Sequence, residues 1–186
     1  MKQNVWLMTA VKIIILAMTT VAVLWSVSNN YMIKTSAAAQ MVDKPAPSIQ
    51  AKKWLNATEL TNEMLRGKVY LVEFWTFGCY NCVNVEPYVK QWHNKYKSKG
   101  FEVVSVHSPE FAHEKDIDNV RDYVKRKSIH YPVAIDNDFS IWNRFNNRYW
   151  PAMYLVDKKG IIRYTHFGEG RYSTTEAMIN ILLSEK

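Results

Sequence analysis

Hydrophobic and polar positions form alternating blocks that predict strands and helices in turn from residue 56 onward. Short runs rich in β-branched and aromatic residues predict buried strands, and longer stretches with apolar residues at helical spacing predict helices. The predicted strands are 69–75, 101–106, 131–135, 153–156 and 161–166. The predicted helices are 56–65, 83–99, 116–127, 140–145 and 174–183.

The order of these elements indicates how the strands pair. Strands separated by helices pair in parallel through crossovers, whereas residues 157–160 have the composition of a hairpin turn and predict an antiparallel end to the sheet. We therefore expect an α/β fold with a mixed central sheet and helices on both faces, plus an N-terminal membrane-anchor or signal helix. The 186 residues leave room for one such domain and a short extra segment.

The N-terminal segment has the pattern of an export signal. Lys2 and Lys12 precede an apolar run at 13–27. Counted from Val5, the apolar stretch approaches the length needed to cross a bilayer, so we favour a retained signal anchor. Removal as a signal peptide after Ala39, which ends three consecutive alanines, is the alternative. Because the basic flank comes first, the following domain is expected on the outer side of the membrane: anchored in the cell envelope, or periplasmic or secreted if cleaved.

These patterns divide the chain into three parts and limit its partners. We predict a signal anchor or signal peptide at 1–29, a tether at 30–48 and the folded domain at 49–186. The formal net charge is +7, and residues 40–186 hold 21 basic against 17 acidic residues. This mild excess is not accompanied by an arginine-rich stripe or a nucleic-acid motif. We therefore predict contact with the membrane through the N-terminal helix and no nucleic-acid partner.

Two cysteines, Cys79 and Cys82, lie where a predicted buried strand leads into a predicted helix. The C-x-x-C spacing occurs in redox, haem and metal sites, and a structural disulfide is also possible, so the spacing alone leaves alternatives open. Haem attachment needs a histidine at position 83, where valine stands. A zinc site needs two more ligands, but no second cysteine pair exists and the five histidines are scattered. We favour a redox pair.

The start of a helix explains why such a pair would react. Unpaired N–H groups and the positive end of the helix dipole stabilise a thiolate at Cys79. Cys82 lies one turn later, faces the same direction and can attack a mixed disulfide made by Cys79. The predicted chemistry is thiol-disulfide exchange through a redox-active Cys79–Cys82 disulfide, with no other cofactor and no metal.

Glu73 interrupts the apolar strand 69–75 and is a candidate acid for this chemistry. Burial of a lone carboxylate is costly and raises its pKa, so a carboxyl group beneath the cysteines would suit proton transfer to or from Cys82. The alternative is that Glu73 lies at a strand end or edge and faces water. Trp150 and Pro151 precede the strand 153–156, where from the residues alone a trans edge or turn proline is the simplest interpretation.

The residues around the cysteines resemble the thioredoxin superfamily. The stretch 72–82 (VEFWTFGCYNC), with Pro87 five residues after Cys82, is similar to the strand, active site and kinked helix of that family. Trp150 and Pro151 fall at the cis-proline position. The chain resembles in particular the extracytoplasmic TlpA/ResA-type redoxins and the thioredoxin-like domain of DipZ-type proteins, through residues 106–110, 131–137 and 147–152.

The resemblance implies roles for matched positions. Cys79 would attack, Cys82 would resolve, and Glu73 would be the buried acid that TlpA/ResA-type proteins carry there. Pro151 would be cis, leaving the Trp150 backbone free to pair with an extended substrate segment.

The resemblance also implies a function. The chain would exchange disulfides with exported proteins as a reductant, and a membrane electron-donor protein of the DsbD/CcdA type would restore its dithiol. Trp75 and Phe77, beside the cysteines, either shape a substrate groove or pack in the core. A copper- or other metal-handling module of the same fold and a peroxide-reducing redoxin are the alternative functions.

Overall fold

A computed structural model describes residues 41–185. The strands are β1 (Trp54–Leu55), β2 (Val69–Trp75), β3 (Phe101–His107), β4 (Val133–Ile135), β5 (Ala152–Val156) and β6 (Ile162–Phe167). The α-helices are α1 (Tyr80–Tyr96), α2 (Ile117–Arg126), α3 (Ser140–Arg144) and α4 (Tyr172–Ser184). Short 3₁₀ helices lie at Glu63–Leu65, Lys97–Lys99 and Ala112–Lys115.

The six strands form one mixed sheet in the order β1-β4-β3-β2-β5-β6. The pairs β2–β3 and β3–β4 are parallel, and the pairs β1–β4, β2–β5 and β5–β6 are antiparallel. The predicted combination of parallel crossovers with a late antiparallel hairpin is therefore confirmed. The central strand β2 has a strand on each side, and all seven of its residues are buried.

Alternate residues of β2 face two hydrophobic layers, as the two-residue period of a strand requires. One layer packs β2 against α1, α2 and α4 through Val69, Leu71 and Trp75. The other packs β2 against α3 through Tyr70, Val72 and Phe74. Helices therefore cover both faces, as predicted. By its position in this alternation, Glu73 faces the layer that contains α1.

The predicted helix at 56–65 is wrong over most of its length, since only Glu63–Leu65 is helical and β1 precedes it. Asn56 has a left-handed backbone with φ of 61°, and its amide donates to two backbone carbonyls in the segment 129–131. Asn62 similarly bonds the backbone of the segment before β1. The side chains of both asparagines are therefore used in long-range contacts with the backbone.

Residues 41–48, which the sequence pattern assigns to the tether, pair with the domain. The Asp43 N–H donates to the Ile162 carbonyl at 2.8 Å, and the Ile162 N–H donates to the Lys44 carbonyl at 2.9 Å. This part of the chain therefore forms an isolated antiparallel bridge with the start of the β6 segment. The predicted anchor at 1–29 lies outside the described residues, and between residues 41 and 185 no helix has the length and apolar character to cross a bilayer.

Asp136 ties the loop after β3 to α3. Its carboxylate is 1% exposed and accepts the N–H groups of Ile141 at 2.8 Å and Trp142 at 2.9 Å. It also accepts the Ser108 hydroxyl at 3.0 Å. The Trp142 ring packs on Trp150, with centroids 4.3 Å apart, so the same acid helps to place the segment before β5.

We expect Asp136→Asn to lower the free energy of unfolding by about 2–3 kcal/mol, because an amide leaves an NH₂ group facing a buried N–H donor. Urea denaturation measures the loss. Asp122→Asn, at an exposed position on α2, is the matched control and should change stability by less than about 0.5 kcal/mol. Equal effects of the two substitutions would contradict the proposed role of Asp136.

Candidate active site

The cysteines lie at the start of α1, just beyond the end of β2. Cys79 is the N-cap residue, and its sulfur accepts the Cys82 N–H at 3.3 Å. Both cysteines are thiols in this structure. Cys79 is half-buried, whereas Cys82 is 3% exposed. Cys79 is therefore the thiol that another protein can reach, and Cys82 lies behind it.

The buried position of Cys82 controls its protonation. Burial raises the pKa of the Cys82 thiol well above its ordinary value, and a hydrogen bond with the Cys79 sulfur raises it further. Cys82 is therefore protonated at neutral pH and must lose this proton before it can attack a disulfide. A proton acceptor inside the same layer is required.

Glu73 is the acid in that layer. Its side chain is 3% exposed, and the Ser105 hydroxyl, opposite it on β3, donates to it at 3.5 Å. Burial raises the pKa of Glu73 to about 8, and repulsion from Glu86 contributes to the increase. A charge on Glu73 also raises the pKa of Cys82, so the two groups are electrostatically coupled. The alternative of a water-facing Glu73 at a strand edge is wrong.

Glu86, on α1, is a second buried carboxylate that the sequence interpretation missed. It accepts the Tyr123 hydroxyl at 2.8 Å and the Lys90 ammonium at 2.8 Å. Lys90 therefore forms an ion pair with Glu86, the acid whose charge raises the pKa of Glu73. The spacing of Glu86 and Lys90, four residues apart on a predicted helix, was the available signal for this ion pair.

Trp75 and Phe77 pack around one histidine. The Trp75 ring, 5% exposed, lies edge-on to His107 at 5.1 Å and tilted against Tyr123 at 5.5 Å. Phe77 stacks on both of the same rings at 5.7 Å. Burial lowers the pKa of His107 to about 4, so the imidazole is neutral at physiological pH. Trp75 is a core residue, and half-buried Phe77 retains exposed surface beside Cys79.

The Trp150–Pro151 peptide bond is cis, as the resemblance implied. The Trp150 indole N–H donates to the Ser108 carbonyl at 2.9 Å, and its side chain packs against the hydrophobic layer that includes Cys79 and Cys82. Outside the strands, no backbone hydrogen bond joins Trp150 to another residue of the described part of the chain. The segment before β5 thus packs on the same hydrophobic layer as the cysteines.

Glu114 is a further buried acid that the sequence interpretation missed. It lies in the 3₁₀ helix before α2, and its carboxylate accepts the backbone N–H of Gly78 at 2.8 Å. Burial raises the pKa of Glu114, but the hydrogen bonds that the carboxylate accepts outweigh this and lower it overall. A glutamate in the first turn of a short helix is a capping signal that could have identified this residue.

The metal-handling alternative needs more ligands than the two thiols. Within residues 41–185, no three histidine, cysteine, aspartate or glutamate side chains are grouped so that they could hold a metal ion. The Nε2 atom of His107, which lies behind Phe77, is 3.3 Å from the Thr76 hydroxyl, so this nitrogen has a hydrogen-bond partner within the protein.

Comparison with known proteins places this site in a family. The Redoxin family model matches residues 41–179. The chain is 42% identical over 135 residues to Protein DipZ of Mycobacterium bovis, an alignment that covers 71% of this chain and 19% of DipZ. It is 32% identical over 144 residues to the thiol-disulfide oxidoreductase YkuV of Bacillus subtilis, covering 76% of this chain and 96% of YkuV. The solution structure of a thioredoxin-like protein in the oxidised form superposes with a TM-score of 0.70 at 32% identity, covering 77% of this chain and 97% of that protein.

The fold and the cysteine pair define a domain of the thioredoxin-like thiol-disulfide oxidoreductase class. The chain belongs to the Redoxin family. The alignment with DipZ spans about a fifth of that protein's length, so the similarity to DipZ concerns this domain alone.

Glu73 should make the stability of the reduced protein depend on pH. Its pKa is about 8 in the folded state against an ordinary value of 4.5, so between these values the folded state binds more protons than the unfolded state. The free energy of unfolding therefore falls as pH rises through this window. We expect Glu73→Gln to flatten this slope and to be more stable than the wild type above about pH 7.

Urea denaturation of the reduced proteins across this pH range measures the effect. Glu59→Gln, at an exposed position, is the control and should keep the wild-type slope. A Glu73→Gln protein with an unchanged slope would show that Glu73 does not titrate as a buried acid.

Proposed function

We propose that this chain is an extracytoplasmic thiol-disulfide oxidoreductase that reduces disulfides in exported proteins through Cys79 and Cys82. The observation that carries the proposal is the arrangement of a reachable Cys79 thiol and a buried Cys82 thiol at the start of α1, coupled to the buried acid Glu73.

In the first step, the Cys79 thiolate attacks one sulfur of a substrate disulfide. The S–S bond of the substrate breaks, its second sulfur leaves as a thiolate and takes a proton from water, and a mixed disulfide with Cys79 forms. The thiolate is stabilised by the N–H groups at the start of α1.

In the second step, Cys82 resolves the mixed disulfide. The Glu73 carboxylate takes the Cys82 proton, and the resulting thiolate attacks the Cys79 sulfur. The bond between Cys79 and the substrate breaks, and the substrate sulfur leaves as a thiolate that takes a proton from water. The substrate has then gained two electrons, and the enzyme holds a Cys79–Cys82 disulfide. A pKa of about 8 suits Glu73 to this role, because both of its protonation states are accessible near neutral pH.

The substrate would lie between Phe77 and the segment before β5. Phe77 offers exposed apolar surface beside Cys79, and the Trp150 backbone next to the cis Pro151 offers hydrogen-bonding groups to an extended chain. The buried Trp75 supports this surface from beneath, because the Trp75 and Phe77 rings both pack on His107.

Location and electron supply complete the proposal. The apolar run at 13–27, preceded by Lys2 and Lys12, supports an anchor with the domain outside the cytoplasm. Two electrons per cycle would come from a membrane protein of the DsbD/CcdA type by exchange with the Cys79–Cys82 disulfide. The resemblance to TlpA/ResA-type redoxins, which often serve cytochrome c maturation, supports the reducing direction.

We expect the wild type to accelerate insulin reduction by dithiothreitol and Cys79→Ser to abolish this activity. Cys82→Ser should instead accumulate mixed disulfides, because the resolving thiol is absent. Non-reducing gel electrophoresis of proteins trapped in the native membrane detects them. The variant lacking both thiols is the control, and adducts that persist in it would show that Cys79 is not the attacking residue.

Glu73→Gln should slow the resolving step about 100-fold near neutral pH, because an amide cannot take the Cys82 proton. The attack by Cys79 should be unaffected. Rapid-mixing measurements that follow decay of the mixed disulfide separate the two steps, and Glu59→Gln is again the control. Unchanged decay in Glu73→Gln would leave Glu73 with a structural role alone.

Peroxide reduction is a second candidate, because Thr76 stands three residues before Cys79 in the Thr-x-x-Cys pattern of peroxide-reducing redoxins. Thr76 is buried, and its hydroxyl lies 3.3 Å from His107 Nε2. Consumption of hydrogen peroxide by the reduced protein at a rate exceeding its insulin reduction would favour this candidate.

Stoichiometric copper bound to the reduced protein would favour the metal-handling module.

A further inference from the structure

The two oxygens of the Glu114 carboxylate hold different segments of the chain. Oε2 accepts the N–H groups of Glu110 at 2.6 Å and Phe111 at 2.7 Å, which lie in its own loop. Oε1 accepts the N–H of Gly78 at 2.8 Å, 36 residues away and directly before Cys79. One fully buried side chain therefore joins the active-site loop to the loop that follows β3.

We propose that Glu114 is a positioning residue for Cys79: by holding the Gly78 N–H, it fixes the turn from which Cys79 emerges and favours closure of the Cys79–Cys82 disulfide. This inference deepens the proposed function and rests on it.

Gly78 fits this contact closely. A Cβ atom at position 78 would lie 2.4 Å from Glu114 Oε1, well inside van der Waals contact. The backbone of Gly78 does not have the positive φ that would require glycine. Glycine at this position therefore leaves space for the carboxylate and is not required by the backbone conformation.

A role restricted to capping the 3₁₀ helix Ala112–Lys115 would not account for the Gly78 contact. The two bonds to Oε2 already cover the backbone N–H groups at the start of that helix. The bond to Oε1 contributes nothing to the helix and reaches the other loop.

Glu114→Gln tests the proposal selectively. The glutamine amide keeps one oxygen, which is expected to stay on the two N–H groups of Glu110 and Phe111, and its NH₂ group then faces the Gly78 N–H. Native-state hydrogen exchange should show loss of protection at Gly78 and retained protection at Phe111.

The redox measurement is the equilibrium between the Cys79–Cys82 disulfide and glutathione. A more mobile turn lowers the effective concentration of one thiol near the other. The equilibrium constant for disulfide formation in Glu114→Gln should therefore fall about threefold to tenfold, which corresponds to the loss of one hydrogen bond. A purely structural role would lower stability and leave this constant unchanged in the folded protein.

Glu110→Gln is the matched control, because it removes the same charge from an exposed side chain in the same loop. Its glutathione equilibrium should equal that of the wild type. The proposal is overturned if Glu114→Gln loses Gly78 protection but keeps the wild-type equilibrium, or if Glu110→Gln shifts that equilibrium equally. A wild-type protein that does not reduce insulin would contradict the proposed function. The glutathione equilibria of the wild type, Glu114→Gln and Glu110→Gln would still test the role of Glu114.

Gly78→Ala keeps the test available if Glu114→Gln does not fold. The added methyl group displaces Oε1 and leaves the Oε2 bonds in place, so the glutathione equilibrium should shift in the same direction. A folded Gly78→Ala protein with the wild-type equilibrium would also overturn the proposal.

Discussion

Exclusion of water from the layer between β2 and α1 is the constraint on which the chemistry of this protein depends. Both Cys82 and Glu73 lie in that layer, and burial raises the pKa of each. Neither group readily carries a charge there, so each is held in its protonated form more strongly than in water. In the proposed resolving step, proton transfer between the two would keep the number of buried charges constant, which is cheaper than the appearance of a new charge.

The residues around this layer hold the loops that meet at Cys79. Asp136 anchors the loop after β3 to α3, Glu114 anchors the same region to the loop before Cys79, and the Trp150 indole bonds the carbonyl of Ser108. Each of these contacts is a hydrogen bond made by a polar side chain, that of Asp136, Glu114 or Trp150. Such bonds are directional, so they position the thiols more narrowly than hydrophobic packing alone.

The positions along the chain of β2 to β6 and of most helices could be predicted because periodicity is a local property. The strand at 69–75 and the helix after the cysteines were identified from short apolar runs and helical spacing, and both are confirmed. The helix at 56–65 was predicted wrongly, because Asn56 and Asn62 bond distant backbone groups that no local window contains. The buried state of Glu73 could be anticipated, since an acid inside an apolar strand is itself an unusual local signal.

The sequence by itself determined the pair of thiols at a strand-to-helix junction and the acid on the preceding strand, because each depends on residues close together in the chain. The Redoxin-type arrangement of elements was implied by the resemblance of several separate segments to that family. Only the tertiary structure decided that Glu86 acts on Glu73, that Glu114 holds Gly78 and that Trp75 is covered. Those contacts join residues on separate elements, as with Gly78 and Glu114, which are 36 residues apart in the sequence. They exist only once the sheet has assembled and the helices have packed on it.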